Sequence, residues 1–478
     1  MAAVTAGVCA PAAVASPAIP GDHPDPSLLR AGGAWYATST SGDWLPAFPI
    51  LRSDDLRHWR QVGSVLYRRP PWAADDFWAP ELVRRDGRVL AYYSARALSG
   101  RRCLAVASAA RVTGPYRDHG PILCSRTGDI DPLPVRDEQG ADWLVWKRDG
   151  NSRRRPTPIL AAPLAPGGTS LVAPPHELFR ADAPWERGLV EAPALLRRGG
   201  MLYLLYSAGN CCGLGCHYAT GVARSSSLLG PWEKRPTPIL TGGGGFRCPG
   251  HAGVARDSDG VPLLAYHAYV GGDLSNRRLL LSRLHFDAAG WPAAGQPRGP
   301  AARPSPARFW FRSALGPGWE WPTGERPANR VTGGRLLLGP GALARQTGTT
   351  RFIATATVTD RRHAARAGLA VMAQGGNAVG VELRGGRATV WRSDEGRRTS
   401  LGSRRLPPGR PVADAGRVEL RVSVGERVRL AVHVRGRWLA VGVAQPPPRW
   451  AGGAYAGVSV RGPAEARAQF DSLAIRPR

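Results

Sequence analysis

The chain of 478 residues is too long for one hydrophobic core, so its length predicts two or three domains. Its formal net charge of +28 comes almost entirely from arginine, because Lys147 and Lys234 are its two lysines. The arginines are spread along the whole sequence, which predicts a solvated basic surface and argues against a nucleic-acid partner. No apolar run reaches the roughly 20 residues that a membrane-spanning helix needs.

The N-terminal segment is small and apolar, and its Ala13-Val14-Ala15 stretch would suit signal peptidase, although it lacks a basic n-region. We interpret residues 1–18 as a signal segment or a disordered tail, and we expect a secreted protein. Cleavage would remove Cys9 and leave an even number of cysteines, which predicts disulfides of open connectivity. Cys211, Cys212 and Cys216, with His217, could instead bind zinc.

Residues 20 to about 300 repeat a coarse theme, in which a strand pair ends in a polar turn and a Ser-rich stretch leads to an aromatic residue and a short apolar strand. The spacing of roughly 55–60 residues is that of a propeller blade with four short strands, and it predicts five blades over residues 19–295.

A segment rich in Pro, Gly and Ala at 296–306 predicts a linker. The remainder, 307–478, contains short alternating strands separated by turns, which is typical of a β-sandwich of the jelly-roll type. The predicted fold class is therefore all-β: a five-bladed β-propeller followed by a β-sandwich.

Three acidic residues lie next to prolines in what we interpret as separate turns: Asp25 before Pro26, Asp131 before Pro132, and Glu191 in Val190-Glu191-Ala192-Pro193. Cleavage of a bond between sugars needs two carboxyl groups in opposite protonation states, and a third acid can hold those states apart. An Asp before Pro is by itself more often a turn residue. The acids fall in the first, third and fourth units, whose inner strands converge at a propeller's channel.

The sequence resembles glycoside hydrolase family 43 over about residues 19–295. The resemblance rests on His23–Ser27, Phe77–Glu81, Ile130–Pro132, Val190–Pro193 and Pro249–His251. It implies a five-bladed propeller that cleaves arabinose-, xylose- or galactose-containing polysaccharides with inversion. The C-terminal part is similar to the concanavalin-like sandwich of some family β-xylosidases.

Positions that match the family's motifs imply roles for the three acids. Asp25 would be the general base that activates water, and Glu191 the general acid that protonates the leaving oxygen. Asp131 would keep Glu191 protonated and oriented. Asp129 is a rival for the last role, although it does not match the family position.

The same resemblance implies further site residues. His251 would face the channel and could hold a structural calcium or sodium ion, or be a purely structural histidine; the chemistry itself needs no cofactor. Arg278 would reach the innermost sugar, unless it is an exposed strand arginine. Trp78 could stack on a sugar ring, with Trp44 and Trp72 as further candidates on nearby loops. Supporting roles are expected for Glu81, His267 and Lys147.

These observations predict an inverting, exo-acting glycosidase that acts as a monomer on arabinan, arabinoxylan or xylan oligosaccharides. The loop Asn210–Tyr218 and the turn Gly230–Lys234 favour release of α-L-arabinofuranose, whereas the sandwich favours a β-D-xylosidase. An endo-arabinanase stays open, because the sequence does not reveal whether the pocket is closed at one end. A non-catalytic carbohydrate-binding propeller is the alternative of another class, and the presence of all three acids argues against it. The sandwich could bind polysaccharide, supply a loop to the pocket or brace the propeller.

Overall fold

The computed structural model describes residues 19–151, 155–295, 303–324, 326–407, 415–447 and 452–478. The predicted signal segment 1–18, with Cys9, lies outside the described residues, as does most of the predicted linker 296–306. Regular structure is almost entirely β, with a one-turn 3-10 helix at Pro184–Glu186. In the described ranges, no helix has both the length and the apolar character needed to cross a membrane.

The first part of the chain forms five separate four-stranded antiparallel sheets that follow one another in sequence, and these are the blades of a propeller. The strands of the first two sheets, and the short β3 outside them, are β1 (Ser27–Ala31), β2 (Ala34–Thr38), β3 (Trp44–Leu45), β4 (Ala47–Ser53), β5 (Arg60–Leu66), β6 (Ala73–Arg85), β7 (Arg88–Ala97), β8 (Arg102–Ala109) and β9 (Arg117–Leu123). The other three sheets comprise β10 (Asp129–Arg136), β11 (Asp142–Arg148), β12 (Pro158–Pro163), β13 (His176–Arg180), β14 (Val190–Arg198), β15 (Met201–Ala208), β16 (Ala219–Ser225), β17 (Glu233–Lys234), β18 (Phe246–Arg256), β19 (Pro262–Val270), β20 (Asp273–Phe286) and β21 (Pro292–Ala294).

The second part forms a sandwich of one eight-stranded and one six-stranded antiparallel sheet. Its strands, with β23 outside both sheets, are β22 (Ala307–Trp310), β23 (Trp321–Pro322), β24 (Asn329–Thr332), β25 (Arg335–Leu338), β26 (Gly341–Gln346), β27 (Phe352–Arg362), β28 (Arg366–Met372), β29 (Ala378–Arg384), β30 (Arg387–Asp394), β31 (Arg397–Arg405), β32 (Ala415–Val424), β33 (Val428–Val434), β34 (Arg437–Ala444), β35 (Tyr455–Arg461) and β36 (Arg467–Pro477). The larger sheet has the order β24-β25-β36-β27-β32-β33-β34 with β22 also paired to β36, and the smaller sheet has the order β26-β35-β28-β29-β30-β31.

Alternation of apolar and polar residues explains how the sandwich strands pack. In β32, Val418, Leu420, Val422 and Val424 are all buried, because every second side chain of a strand points to the same face. Facing strands of the other sheet carry the same pattern, so the two apolar faces meet in one core. The predicted all-β fold class, a five-bladed propeller followed by a sandwich, is confirmed.

Propeller and sandwich are joined by backbone pairing and aromatic packing. Strand β3 of the propeller side pairs with β23, and Leu45 lies opposite Trp321. Trp44 stacks on Tyr455 of the sandwich with ring centroids 3.8 Å apart. Because this stacking buries Trp44 almost completely, the interpretation of Trp44 as a sugar-stacking residue is wrong.

Candidate active site

A β-bulge, in which two residues lie opposite one, interrupts the innermost strand of the second to fifth blades, and the first blade has an irregularity at Asp25, just before β1. The register shifts fall between Trp78 and Glu81, Ile130 and Leu133, Glu191 and Ala194, and Gly250 and Gly253. The first residue of each irregularity has a positive φ: Asp25 (54°), Ala79 (49°), Asp131 (59°), Ala192 (54°) and His251 (49°). A bulge re-aims a side chain, and each left-handed non-glycine residue costs about 1–3 kcal/mol, so strain is concentrated around the channel.

The bulges change the interpretation of the proline-flanked acids. Asp131 lies within β10 and Glu191 within β14, so the prediction that they stand in turns is wrong. Proline is tolerated there because the unpaired bulge of an edge strand needs no ladder donor. Asp25, Asp131 and His251 occupy the same bulge position in their blades, whereas Glu191 occupies the position before it.

The innermost strands enclose a cavity of about 450 Å³ at the channel, a size that suits a small ligand. Asp25, Asp131 and Glu191 all line this cavity, together with Trp78 and His251. Sequence reasoning missed the lining residues Arg102, Asp149, Arg277 and Gln374, whereas Cys211, Cys212 and Tyr218 belong to the loop Asn210–Tyr218 that it had associated with sugar specificity.

Asp25 is surrounded by donors and positive charge. Its Oδ2 accepts a hydrogen bond from Thr40 Oγ1 at 2.6 Å, while its Oδ1 lies 3.4 Å from Arg277 Nη1 and 3.3 Å from His251 Nδ1. Burial alone would raise the pKa of Asp25, but Arg277 and His251 outweigh it and hold the pKa well below its usual range. Asp25 is therefore a carboxylate at neutral pH.

His267, which was expected to support the channel wall, holds the backbone of Asp25. The Asp25 N–H donates to His267 Nδ1 at 3.1 Å, so this ring nitrogen is unprotonated. Burial lowers the pKa of His267 to about 4, which agrees with a neutral ring. The histidine thus fixes the strained main chain that carries the carboxylate.

Glu191 is held at both carboxylate oxygens. Lys147 Nζ donates to Oε2 at 2.7 Å, and the Tyr218 hydroxyl donates to Oε1 at 2.7 Å. Lys147 was expected in the channel wall; its ammonium is fully buried, and Asp149 lies 3.7 Å away. A buried lysine that is paired in this way fixes Glu191 in one orientation.

Asp131 lies in the same buried cluster. Its backbone N–H donates to Ser94 Oγ at 3.0 Å, and its Oδ2 accepts a hydrogen bond from the Ala192 N–H at 2.9 Å. Burial raises the pKa of Asp131 to about 6; His251 opposes this rise and the charge of Glu191 adds to it. Asp131 therefore takes up a proton closer to neutrality than an exposed aspartate does.

Asp129, the rival of Asp131, has a structural environment. Its Oδ1 accepts hydrogen bonds from Trp146 Nε1 at 2.9 Å and Arg148 Nε at 3.3 Å, and its Oδ2 accepts one from the Ser125 N–H at 2.9 Å. The side chain is fully buried, and it is not among the described residues that line the cavity.

The structure corrects the predicted sugar-binding arginine. Arg277 lines the cavity beside Asp25, whereas Arg278 is not among the described lining residues and its Nη2 lies 3.7 Å from Asp273. Both residues belong to β20, and consecutive strand residues point to opposite faces. The sequence offers no signal that distinguishes two adjacent arginines, so the choice of Arg278 is wrong by one position.

Of the three candidate tryptophans, Trp78 lines the cavity. The guanidinium of Arg102 lies over its ring at 4.5 Å from the centroid, and Arg102 Nη2 is 3.0 Å from Asp76 Oδ2. Trp72 instead packs on Tyr93 and donates to Asp118 Oδ2 at 3.0 Å, so its interpretation as a sugar-stacking residue is wrong. Glu81, which was expected to be structural, is not one of the described cavity-lining residues, and burial raises its pKa to about 8.

The donors around His251 do not fit a directly coordinated calcium ion, which takes six to eight oxygen ligands. His251 Nδ1 faces Asp25, whose charge is already balanced by Arg277. Among the described residues, the one cluster of three acidic, histidine or cysteine ligand atoms is Asp43, Asp75 and Asp76, which does not include His251. A channel ion at His251 stays a prediction.

Six cysteines form three disulfides: Cys103–Cys124, Cys211–Cys212 and Cys216–Cys248. Thiols that are joined in disulfides cannot ligate zinc as thiolates, so the zinc alternative is wrong. The second disulfide joins neighbouring residues and lines the cavity.

The sandwich reaches the cavity through the loop between β28 and β29. Gln374 of this loop lines the cavity, and the Gly375 N–H donates to Asp43 Oδ2 of the propeller at 2.8 Å. Of the three roles considered for the sandwich, supplying a loop and bracing the propeller both agree with these contacts.

A propeller whose channel gathers carboxylates with aromatic and basic side chains has the make-up of a glycoside hydrolase. The family model described as Glycosyl hydrolases family 43 matches residues 14–292, more than half of the chain, and the chain belongs to this family. It is an enzyme that hydrolyses O-glycosyl bonds of carbohydrates with inversion, and the non-catalytic alternative is set aside.

Curated relatives include both arabinose- and xylose-releasing enzymes. The chain is 26% identical over 293 residues to an extracellular endo-α-(1→5)-L-arabinanase of Bacillus subtilis (strain 168), covering 56% of this chain and 86% of that protein. It is 27% identical over 301 residues to the extracellular exo-α-(1→5)-L-arabinofuranosidase ArbA of Cellvibrio japonicus (strain Ueda107), covering 57% and 86%. A β-xylosidase of Bacillus subtilis (strain 168) is 28% identical over 261 residues, covering 51% of this chain and 47% of that protein.

Solved structures resemble the whole chain, sandwich included. A Bacteroides ovatus protein of the family from a xyloglucan utilisation locus has a TM-score of 0.79 at 20% identity, covering 97% of this chain and 100% of that chain. A xylan β-1,4-xylosidase from Bacillus halodurans C-125 has a TM-score of 0.79 at 21% identity with the same coverage. At these identities the likeness shows the shared fold alone.

Proposed function

We propose that the protein is an exo-acting glycosidase that releases single α-L-arabinofuranose residues from the ends of arabinan or arabinoxylan chains. The observation that carries this proposal is one small cavity that holds Asp25, Asp131 and Glu191 and has the sandwich residue Gln374 in its wall.

Asp25 is the general base in this proposal. The reaction needs a carboxylate that can take a proton from water on one side of the sugar, about 6.5–9.5 Å from the acid on the other side. Arg277 and His251 keep Asp25 ionised near neutrality, since its pKa lies well below the usual range despite burial. Thr40 fixes the second oxygen, and the first lies beside His251 and Arg277, which line the cavity with Asp25.

Glu191 is the general acid, and Asp131 is its positioning partner. Asp131 adds a second buried carboxyl group beside the acid, and burial together with the charge of Glu191 raises the pKa of Asp131 to about 6. Lys147 and Tyr218 hold Glu191 in place, while Asp131 is tied to Ala192, the residue that follows the acid. In the proposed reaction Glu191 gives a proton to the leaving oxygen while Asp25 takes a proton from the water that attacks on the other side of the sugar.

Exo action is supported by the walls of the cavity. The loop that carries Cys211 and Cys212 lines it from the propeller, and the loop that carries Gln374 lines it from the sandwich. A polysaccharide that passes through the site during endo action would need the space that these two loops occupy. The end of a chain needs room only for its last sugar, which fits inside the cavity.

Two sequence relatives named for arabinan-type linkages, which the chain covers to 86% of their length, support arabinofuranose as the released sugar. The specific alternative is a β-D-xylosidase, which the sandwich favours, because the solved xylosidase shares the complete two-domain fold. We also propose secretion, because disulfides persist in oxidising compartments and both arabinan-type relatives are named as extracellular.

The test is hydrolysis of nitrophenyl α-L-arabinofuranoside and nitrophenyl β-D-xyloside, with Asp25→Ala as the inactive control. Clear preference for the arabinofuranoside supports the proposal, and preference for the xyloside replaces it with the alternative. Early products from arabino-oligosaccharides separate the two modes of action: arabinose alone indicates exo action, and a mixture of shorter oligosaccharides contradicts it.

A further inference from the structure

The cavity wall contains a disulfide between adjacent residues, and the catalytic roles above do not use it. Cys211 and Cys212 follow β15, in the loop Asn210–Tyr218 that leads to β16. Both cysteines line the cavity that holds the three acids.

This loop is anchored at several points. A second disulfide joins Cys216 to Cys248 in β18, the innermost strand of the fifth blade. Within the loop, the His217 N–H donates to the Asn210 carbonyl at 3.0 Å. The disulfide between Cys211 and Cys212 closes a small ring of covalent bonds, and the loop that carries this ring is covalently attached to a channel strand.

The side of the ring formed by Cys212 lies next to the proposed base. Arg277 Nη1 is 3.7 Å from Cys212 Sγ and 3.4 Å from Asp25 Oδ1. One guanidinium nitrogen therefore contacts both groups, which places the sulfur within the reach of a single sugar ring from the carboxylate.

Cys211 packs against the cluster that contains the tyrosine partner of the proposed acid. This buried cluster contains Tyr218, Cys248 and Tyr269. The hydroxyl of Tyr218 donates to Glu191 Oε1 at 2.7 Å. The ring thus lies in the cavity wall near Arg277, which contacts the base, and near the cluster of Tyr218, which contacts the acid.

The ring supplies an apolar surface beside the charged groups that line the cavity. Carboxylates, arginine and histidine can bind sugar hydroxyls, but a sugar also has a carbon–hydrogen face that needs an apolar partner. Sulfur is apolar and polarizable, and a disulfide has no hydrogen-bond donor. The disulfide already prevents rotation of both cysteine side chains, so binding of a sugar costs no further conformational entropy for these side chains.

We propose that the Cys211–Cys212 disulfide is a specificity-determining wall of the innermost sugar subsite and packs against the carbon–hydrogen face of the bound pentose. The proposal rests on the proposed function, because it takes the acid-lined cavity as that subsite. Trp78 offers a second apolar surface in the same cavity.

The test compares Cys211→Ser/Cys212→Ser with the matched control Cys103→Ser/Cys124→Ser. The control removes a disulfide whose two cysteines are not among the described cavity-lining residues. A pocket contact worth one methylene discriminates about 10- to 200-fold, so KM and the inhibition constant of the free pentose should each rise at least about tenfold in the first variant. Its kcat on the aryl glycoside should change little, and the control should keep all three constants.

Unchanged KM and inhibition constants in a folded Cys211→Ser/Cys212→Ser protein would overturn the proposal. Equal losses in both disulfide variants, tracking equal losses of Tm, would also overturn it, because the effect would then be general destabilisation. Failure of the proposed function is recognised separately: the wild-type enzyme would then hydrolyse neither aryl glycoside. Calorimetric titration of the wild type and the variant with arabinobiose and xylobiose would still test the role of the disulfide in binding. Equal affinities of the two proteins for each sugar would count against the proposal.

A second measurement applies if the serine variant does not fold. Folded wild-type enzyme is treated with a water-soluble phosphine, which is oxidised to its oxide with oxygen from water while the disulfide becomes two thiols. Alkylation and peptide mass mapping identify molecules in which Cys211 and Cys212 are the reduced pair. If the pentose inhibits that fraction tenfold more weakly, the result supports packing of the disulfide against the sugar. Unchanged inhibition contradicts the proposal.

Discussion

The propeller and the sandwich are built from similar antiparallel strands, yet they place their unusual backbone differently. In the propeller, several non-glycine residues with positive φ lie inside or next to the innermost strands, among them Asp25, Asp131 and His251, in addition to those in turns such as Asp86. In the sandwich, the positive φ values of Glu395 and Arg435 fall in turns between strands. Strain costs stability and persists only where packing enforces it, so its position separates the catalytic part from the supporting part.

The largest expected effect in the propeller is that of Asp25→Ala. Removal of the proposed base should lower kcat about 10²–10⁴-fold on every substrate, whatever its leaving group, because water activation does not depend on the leaving group. Sodium azide, an anion that needs no deprotonation, should restore part of the rate. Kinetics with and without azide check this, and a rate near that of the wild type would remove Asp25 from the role of base.

Glu191→Ala should lower the rate by a similar factor only where the leaving group needs a proton. With a phenyl leaving group of high pKa the loss should be about 10²–10⁴-fold, and with a dinitrophenyl group it should be much smaller. A series of aryl glycosides measures this dependence. If Asp25→Ala and Glu191→Ala respond to the leaving group alike, the assignment of acid and base is wrong.

Arg277→Met and Arg278→Met form a matched pair on one strand. Arg277 contacts Asp25 from the cavity, so its loss should lower kcat/KM about 100-fold, in the range measured for a charged hydrogen bond. Arg278 lies on the other face near Asp273, so its replacement should affect Tm more than kcat/KM. Equal kinetic losses would contradict the assignment of Arg277 to the site.

This pair also shows how far the sequence can predict the site. Repeats and turn chemistry predict the blades, and the family motifs point to Asp25, Asp131 and Glu191. The face on which a strand residue lies depends on register, and a slip of one residue reverses it. Strand β20 pairs with β19 through a register shift between Ala268 and Val270, which no sequence pattern revealed.

The sequence also could not predict contacts that form only when distant parts of the chain pack together. Gln374 belongs to the sandwich and reaches the cavity only through packing of the two domains. Tyr218 has no motif around it that marks a partner of Glu191, although it closes the unusual cysteine loop. Trp44 looked like a surface aromatic because its partner, Tyr455, is more than 400 residues away.

Asp131→Asn should raise stability at neutral pH. Because burial raises the pKa of Asp131 from 3.8 to about 6, the folded state binds more protons than the unfolded state between these values. Stability therefore falls as pH rises through this window, and the cost is fully present above it. The variant should gain about 1–3 kcal/mol at pH 7 to 8 and little at pH 4, while losing activity.

Chemical denaturation at the two pH values measures this change. Asp129→Asn is the matched control, since Asp129 is also buried but accepts hydrogen bonds from Trp146, Arg148 and Ser125. It should lose stability at both pH values, because these three donors, one of them the charged Arg148, are left with a weaker acceptor. A stability of Asp131→Asn that is lower than that of the wild type at pH 8 would show that burial is not the dominant influence on this carboxyl group.

The smallest effect is expected from the sandwich. Gln374→Ala removes a polar side chain from the cavity wall but leaves the Gly375–Asp43 hydrogen bond, so the domain junction should persist. A neutral hydrogen bond contributes about 0.5–1.5 kcal/mol, so KM for oligosaccharides should rise about two- to tenfold with little change in kcat or Tm. Leu401→Ala, an exposed position on β31, is the control and should change neither constant. If Gln374→Ala instead lowers kcat as strongly as Arg277→Met, the sandwich takes part in the chemistry, and the division between a strained catalytic domain and a regular supporting domain does not hold.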